Sequence, residues 1–267
     1  MNHMPLNQDI LRFWSHAAAH FGPASILKRV PKFIQELPPA NDIVRRCAFV
    51  GLNPSFVAGP PDDQLNAWLI EHPALAHYPD VFCWNNPYND WQNGANNYQQ
   101  VQEVVEAMAQ LHQEVRQWYP WFFRLNTLAG AMNIPMNDYI HLDIYLWLTG
   151  NADALPRRRA FRALFTRQEC LFLELLDRIH PQHALCMYAN VGDKIRQLCA
   201  QNVMGFLLVD DWVELENVPL SKANIVRLGN PNPITVFKPR RTHIPHIGRN
   251  PMPEQDFQEV CAFFQNL

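Results

Sequence analysis

The sequence lacks any Cys-x-x-Cys pair. Its six cysteines, Cys47, Cys83, Cys170, Cys186, Cys199 and Cys261, are scattered, which excludes a zinc ribbon and an iron-sulfur cluster. Most lie in apolar runs and are expected as reduced core thiols. No apolar run approaches the roughly 20 residues needed to span a bilayer. The opening MNHMPLNQDILRFW lacks the basic region and apolar stretch of a signal peptide. These absences predict a soluble, cytoplasmic chain with no membrane partner. A large net charge is also missing: the balance of -3 argues against an indiscriminate polyanion binder, while leaving room for a local basic face. There is no internal repeat, no low-complexity tract and no Gly-x-Ser-x-Gly elbow of an α/β-hydrolase nucleophile.

What is present is enough apolar material for one substantial core, 48% of 267 residues. A single domain is expected, with residues 1–41 as a helical extension and 42–267 as the core. Ile10, Leu11, Trp14 and Ala18 share a helical face. Residues 21–41 are Pro-punctuated and lead into the apolar run Ala48, Phe49 and Val50, read as a strand buried on both faces. A long Pro/Asn/Gly-rich passage, 58–97, holds the apolar island Val81 to Trp84. Loops of that length are uncommon unless they build a site.

Helical spacing follows over 97–118 and 121–132, and then a strand over 139–144 that ends near Asp143. A long helix is predicted over 155–179, opening with Pro156 and Arg157, Arg158 and Arg159. Further strands are expected over 183–188, 205–210, 224–228 and 234–238, and helices over 191–201 and 254–265. Strand-helix alternation predicts an α/β fold: a three-layer α/β/α sandwich around a mostly parallel central sheet.

The chemistry is expected at the ends of those strands. Gly51-Leu52-Asn53-Pro54-Ser55 directly follows the first buried run, and in open α/β sheets ligands sit beyond the carboxyl ends of the strands. The same motif is also an ordinary strand exit. Asp143 ends the next strand; the bland alternatives are a strand-end cap or an ion pair with an arginine. His141 is expected on the face opposite Asp143 and is read as structural. Asn190 either lines a pocket or caps the helix after it. Phe82 and Trp84 are core aromatics or a stacking platform. Arg240, Arg241, His243, His246, Arg249 and Asn250 form a Pro-stiffened basic turn, either an exposed loop or a set of phosphate donors. Arg157 and Arg158 are a solvated helix start or a second DNA contact. His243 and His246 have metal-ligand spacing but no third ligand, so neither metal nor cofactor is expected.

The order of these pieces resembles the uracil-DNA glycosylase superfamily over about residues 45–255. Gly51-Leu52-Asn53-Pro54 is closest to the Asn-bearing, mismatch-specific branch. The resemblance implies that Phe82 stacks on the base and that Asp143 stands where the family has a base-reading Asn. It also implies that His243 or His246 is the functional histidine, although the family's His-Pro-Ser pattern is absent here. Excising a base requires a grip on the extruded base, stabilisation of charge on the leaving group and a positioned water. Asn53 does not ionise, so it would hold the water rather than act as a base. Asp143, when ionised, only accepts hydrogen bonds. It therefore suits the exocyclic amine of cytosine, and a protonated Asp143 would also donate to ring N3. Ser55 stands where efficient uracil enzymes carry a bulky Tyr, leaving room at the base 5-position.

The expected function is excision of a 5-substituted cytosine, hydroxymethylated or glucosylated as in phage DNA, by a monomer acting on double-stranded DNA. The rivals are a uracil or mismatched-thymine repair enzyme and a non-catalytic DNA-binding protein.

Overall fold

In a computed structural model the described residues are 47–52, 67, 70–71, 116–117, 119–136, 139–145, 162–245 and 250–267. The helical face of Ile10, Leu11, Trp14 and Ala18 lies outside them, as do all but residues 116–117 of the helix expected over 97–118 and all but residues 67 and 70–71 of the long passage 58–97. The chain packs as two compact units, one formed by Met1–Glu36, Asn53–Val115 and Tyr145–Phe165, the other by Leu37–Leu52, Arg116–Ile144 and Thr166–Leu267. The second unit holds nearly all the described residues.

Its framework is a seven-stranded mixed sheet flanked by helices. The strands are β1 (Cys47–Gly51), β2 (Ile140–Asp143), β3 (His183–Cys186), β4 (Phe206–Leu208), β5 (Val213–Glu214), β6 (Leu220–Arg227) and β7 (Asn230–Pro239). The helices are α1 (Phe123–Ala131), α2 (Arg162–Ile179), α3 (Ala189–Ala200) and α4 (Glu254–Gln265). Strands run in the order β2-β1-β3-β7-β6-β4, with β5 also on β6. β2, β1, β3 and β7 are mutually parallel, as the strand-helix alternation predicts.

The remaining strands are antiparallel, which that alternation does not anticipate. β6 and β7 form a hairpin across Leu228-Gly229. Gly229 has φ of 89°, a conformation that costs glycine little and other residues more.

All five residues of β1 are buried, as an apolar run without alternation requires of a central strand. Phe49 meets Tyr139 edge to face, with ring centroids 5.0 Å apart. A buried polar network fixes the approach to β2. Arg116 donates to the Tyr139 carbonyl at 2.9 Å and lies over the Tyr139 ring at 4.2 Å. The Tyr139 hydroxyl donates to Asn126 Oδ1 at 2.9 Å, and the Asn126 amide donates to the Arg116 carbonyl at 2.8 Å. Each buried polar group thereby gains a partner, avoiding the roughly 1–3 kcal/mol cost of leaving one unmet.

On the other side, α3 packs on β3 and β7. There Gly192 makes room for Lys238, whose Cδ would lie 2.6 Å from an added Cβ. Phe237 stands at the centre of an aromatic group with Phe263 and Phe264 of α4.

Candidate functional site

The parallel order β2-β1-β3-β7 places β2 on one side of β1 and β3 on the other, so the topological switch point falls between β1 and β3. In doubly wound sheets that is where a ligand lies, outside the carboxyl ends of the strands. Hydrogen bonding at the end of β1 continues on both sides of it: Ile144 N donates to Gly51 O at 3.2 Å and Met187 N to Val50 O at 2.8 Å.

Gly51 pairs in register with Asp143. A Cβ on Gly51 would lie 2.1 Å from Asp143 Oδ1 and 3.3 Å from His141 Nε2, so the carboxylate occupies the space a side chain would need. Asp143 is only 3% exposed, and its Oδ1 lies 3.8 Å from His141 Nε2. That separation is electrostatic contact rather than a hydrogen bond. His141 therefore shares a face with Asp143, because residues two apart on a strand point the same way; the expectation of opposite faces misread the alternation. Among the described residues, His141 is an ionisable neighbour of Asp143.

Two aromatics pack on His141. The Trp121 ring lies 5.0 Å from that of His141, tilted by 40°, and Phe122 meets His141 edge-on at 5.6 Å. Trp121 Nε1 donates to the Tyr188 hydroxyl at 2.9 Å. Tyr188 follows Met187 across the switch point. Burial pushes its phenol above the usual range; the Trp121 hydrogen bond opposes that shift and the Asp143 charge adds to it. The rings of Tyr188 and His243 meet edge to face at 4.7 Å, and the two residues also form a backbone bridge. Burial lowers the His243 pKa, and its Nδ1 is buried with no hydrogen-bond partner among the described residues.

The segment carrying His243 is held from several directions. His243 N donates to Asn250 O at 2.9 Å, Met252 N to His243 O at 2.7 Å and Ile244 N to Met187 O at 3.1 Å. Buried Arg124 donates to the carbonyls of Ile244 (3.3 Å) and Met252 (2.7 Å), and pairs with Glu254 at 2.9 Å. One guanidinium thus grips both ends of the loop. The planar fork of arginine suits several acceptors at once.

Of the expected residues, the structure brings Gly51, Asp143 and His243 into one cluster, with half-buried Leu52 next in sequence to Gly51. Asn53, Ser55, Phe82, Trp84, His246, Arg249, Arg157 and Arg158 lie outside the described residues. Asn190 does not cap α3: the cap position is Tyr188, and Asn190 lies exposed in the first turn.

Arg240 and Asn250 are not free phosphate donors. Arg240 is engaged by the carbonyls of Leu215, Val218 (3.2 Å) and Leu220 (3.4 Å) and by Glu214 (3.3 Å), which ties down the turn between β5 and β6. The Asn250 amide donates to the Arg241 carbonyl at 2.8 Å. Arg241 itself is exposed, on a groove of about 590 Å³ shared with Thr242, Lys238, Trp212, Arg196 and Asp256. Lys238 pairs with Asp193 and Arg196 with Asp211.

Among the described residues no three His, Cys, Asp or Glu side chains are grouped to hold a metal ion. No helix among them is long and apolar enough to cross a membrane. Cys47, Cys186, Cys199 and Cys261 are free and buried, and burial pushes the Cys47 thiol up to about 12, so it stays protonated and unreactive at neutral pH.

Tyr188 and Trp121 are absent from the residues the sequence singles out. Tyr188 was within reach of the strand-end argument that selects Asp143, since it follows the apolar run of β3. Trp121 sits among several aromatics, and nothing local sets it apart. No protein-family model, curated protein or solved structure matches the chain.

Proposed function

We propose that the protein is a monofunctional DNA glycosylase with a uracil-DNA-glycosylase-like form of the α/β/α architecture. It takes an extruded 5-substituted cytosine, hydroxymethylated or glucosylated, and hydrolyses its N-glycosidic bond as a monomer. Such bases occur in bulk in phage genomes, which makes defence against foreign DNA the setting. The observation that carries this reading is that Asp143 and His243, far apart in sequence, are gathered beside the switch point, His243 packing on Tyr188 and Asp143 lying next to His141, on which the Trp121 partner of Tyr188 packs.

Asp143 accepts from the exocyclic amine. The neutral imidazole of His243 donates toward the base carbonyl as negative charge grows there; its lowered pKa keeps it uncharged at neutral pH. The C1′–N1 bond breaks with its electron pair on the base. The oxygen of a water positioned by Asn53 bonds to C1′, and the water's proton ends on the departed base. Arg241 offers the charge for a backbone phosphate.

The test is incubation of purified protein with duplexes containing cytosine, 5-hydroxymethylcytosine, its glucosides or uracil, followed by alkali to cut at abasic sites. Cleavage confined to the modified cytosines is expected. Intact modified duplexes alongside cut uracil duplexes would reject the substrate, and no cleavage of any duplex would reject the activity.

A further inference from the structure

We propose that Tyr188 is a further catalytic residue, one that donates a hydrogen bond to the ring of the departing base beside the amine held by Asp143. This rests on the glycosylase reading. An indole N–H only donates, so Tyr188 Oη must be the acceptor of the 2.9 Å bond from Trp121. A phenol has one hydrogen, and that hydrogen is directed elsewhere. Among the described residues the hydroxyl makes no hydrogen bond as a donor, and the side chain is only half-buried.

The ring has little freedom to turn. His243 packs edge-on against it at 4.7 Å, and the backbone is fixed both by the bridge to His243 and by the bond from Val191 N to Tyr188 O at 3.2 Å. The phenol thus stands as a positioned donor at the end of β3, and its Trp121 partner packs 5.0 Å from the His141 ring, whose Nε2 lies 3.8 Å from Asp143 Oδ1.

A donor beside an acceptor matches one edge of an aminopyrimidine, where the amine donates and the adjacent ring nitrogen accepts. An ionised Asp143 satisfies the amine alone, which leaves the ring nitrogen without a donor. Tyr188 supplies one without requiring a protonated carboxyl. When the C1′–N1 bond breaks, the electron pair spreads over the base, and its ring nitrogen and carbonyl become stronger acceptors. The bond from Tyr188 therefore strengthens on the way to the transition state. The phenolic proton stays on oxygen throughout; the base takes its proton from the water.

The experiment measures single-turnover base release by the wild type, Tyr188→Phe and Trp121→Phe on duplexes carrying cytosines of graded leaving ability, from 5-hydroxymethyl to 5-formyl. DNA affinity and thermal midpoint are measured alongside. Tyr188→Phe should slow release of the poorest leaving group about 10²-fold. Its DNA affinity should stay within about twofold, and the penalty should shrink as the leaving group improves. Trp121→Phe keeps the hydroxyl and should lose less. A penalty uniform across the series, rates equal to wild type, or an equal loss in Trp121→Phe would overturn the role of Tyr188. A wild type that releases no base from any duplex would instead overturn the glycosylase reading beneath it.

Discussion

His243 shows what burial does to a single titrating residue. Its pKa lies below 6.5 because the half-buried ring loses hydration when charged, and among the described residues no carboxylate pairs with it to offset that loss. Below pH 6.5 the unfolded chain therefore binds a proton here that the native protein does not, and stability falls as the pH drops through that value. His243→Gln removes this titration. Denaturant midpoints at pH 7.5 and 5.5 should show a smaller drop for the variant than for the wild type, and equal drops would mean His243 is not the cause. At this scale the sequence was partly legible. Asp143 could be found because it ends an apolar strand, and His243 because it lies in a stiffened polar turn. Arg240 was misread: a guanidinium that saturates carbonyls of its own turn looks the same in a sequence as one waiting for phosphate.

The pairing of β1 with β2 is the element on which the site depends, since strand register alone sets the Asp143 carboxylate over Gly51. Gly51→Ala forces a methyl to within 2.1 Å of the present position of Oδ1, so the carboxylate must move. The substitution should cost about 1–3 kcal/mol in stability. In an Asp143→Ala background most of that cost should disappear, because the obstructing oxygens are gone. A double-mutant cycle by chemical denaturation measures the difference, and strict additivity would show that the two side chains do not compete for this space. Elements with a plain apolar run or helical period, such as β1, β2 and α4, were readable within a residue or two. The β6–β7 hairpin was not, because Leu228-Gly229 lacks the Asn-Gly or Asp-Gly signature of a tight turn, and β5 is two residues long.

For the whole molecule, the α/β class followed from alternating strand and helix signals, and the parallel half of the sheet bears it out. The antiparallel extension escaped because pairing across a sheet depends on turn geometry and on partners far away in sequence. The switch point belongs to this scale too: it arises only from strand order, yet it brings Gly51, Asp143, Tyr188 and His243 to one edge of the sheet. If this edge reads a cytosine, the hydrogen-bond pattern at residue 143 decides the substrate. An amide in place of the carboxylate both accepts and donates, which fits the ring N–H and carbonyl of uracil.

The decisive measurement is therefore the rate of base release from 5-hydroxymethylcytosine and uracil duplexes by the wild type and by Asp143→Asn. The wild type should act on the first, and the variant should lose that activity and gain release of uracil. An Asp143→Asn protein that still excises modified cytosine at the wild-type rate would contradict the assignment of Asp143 as the group that reads the base.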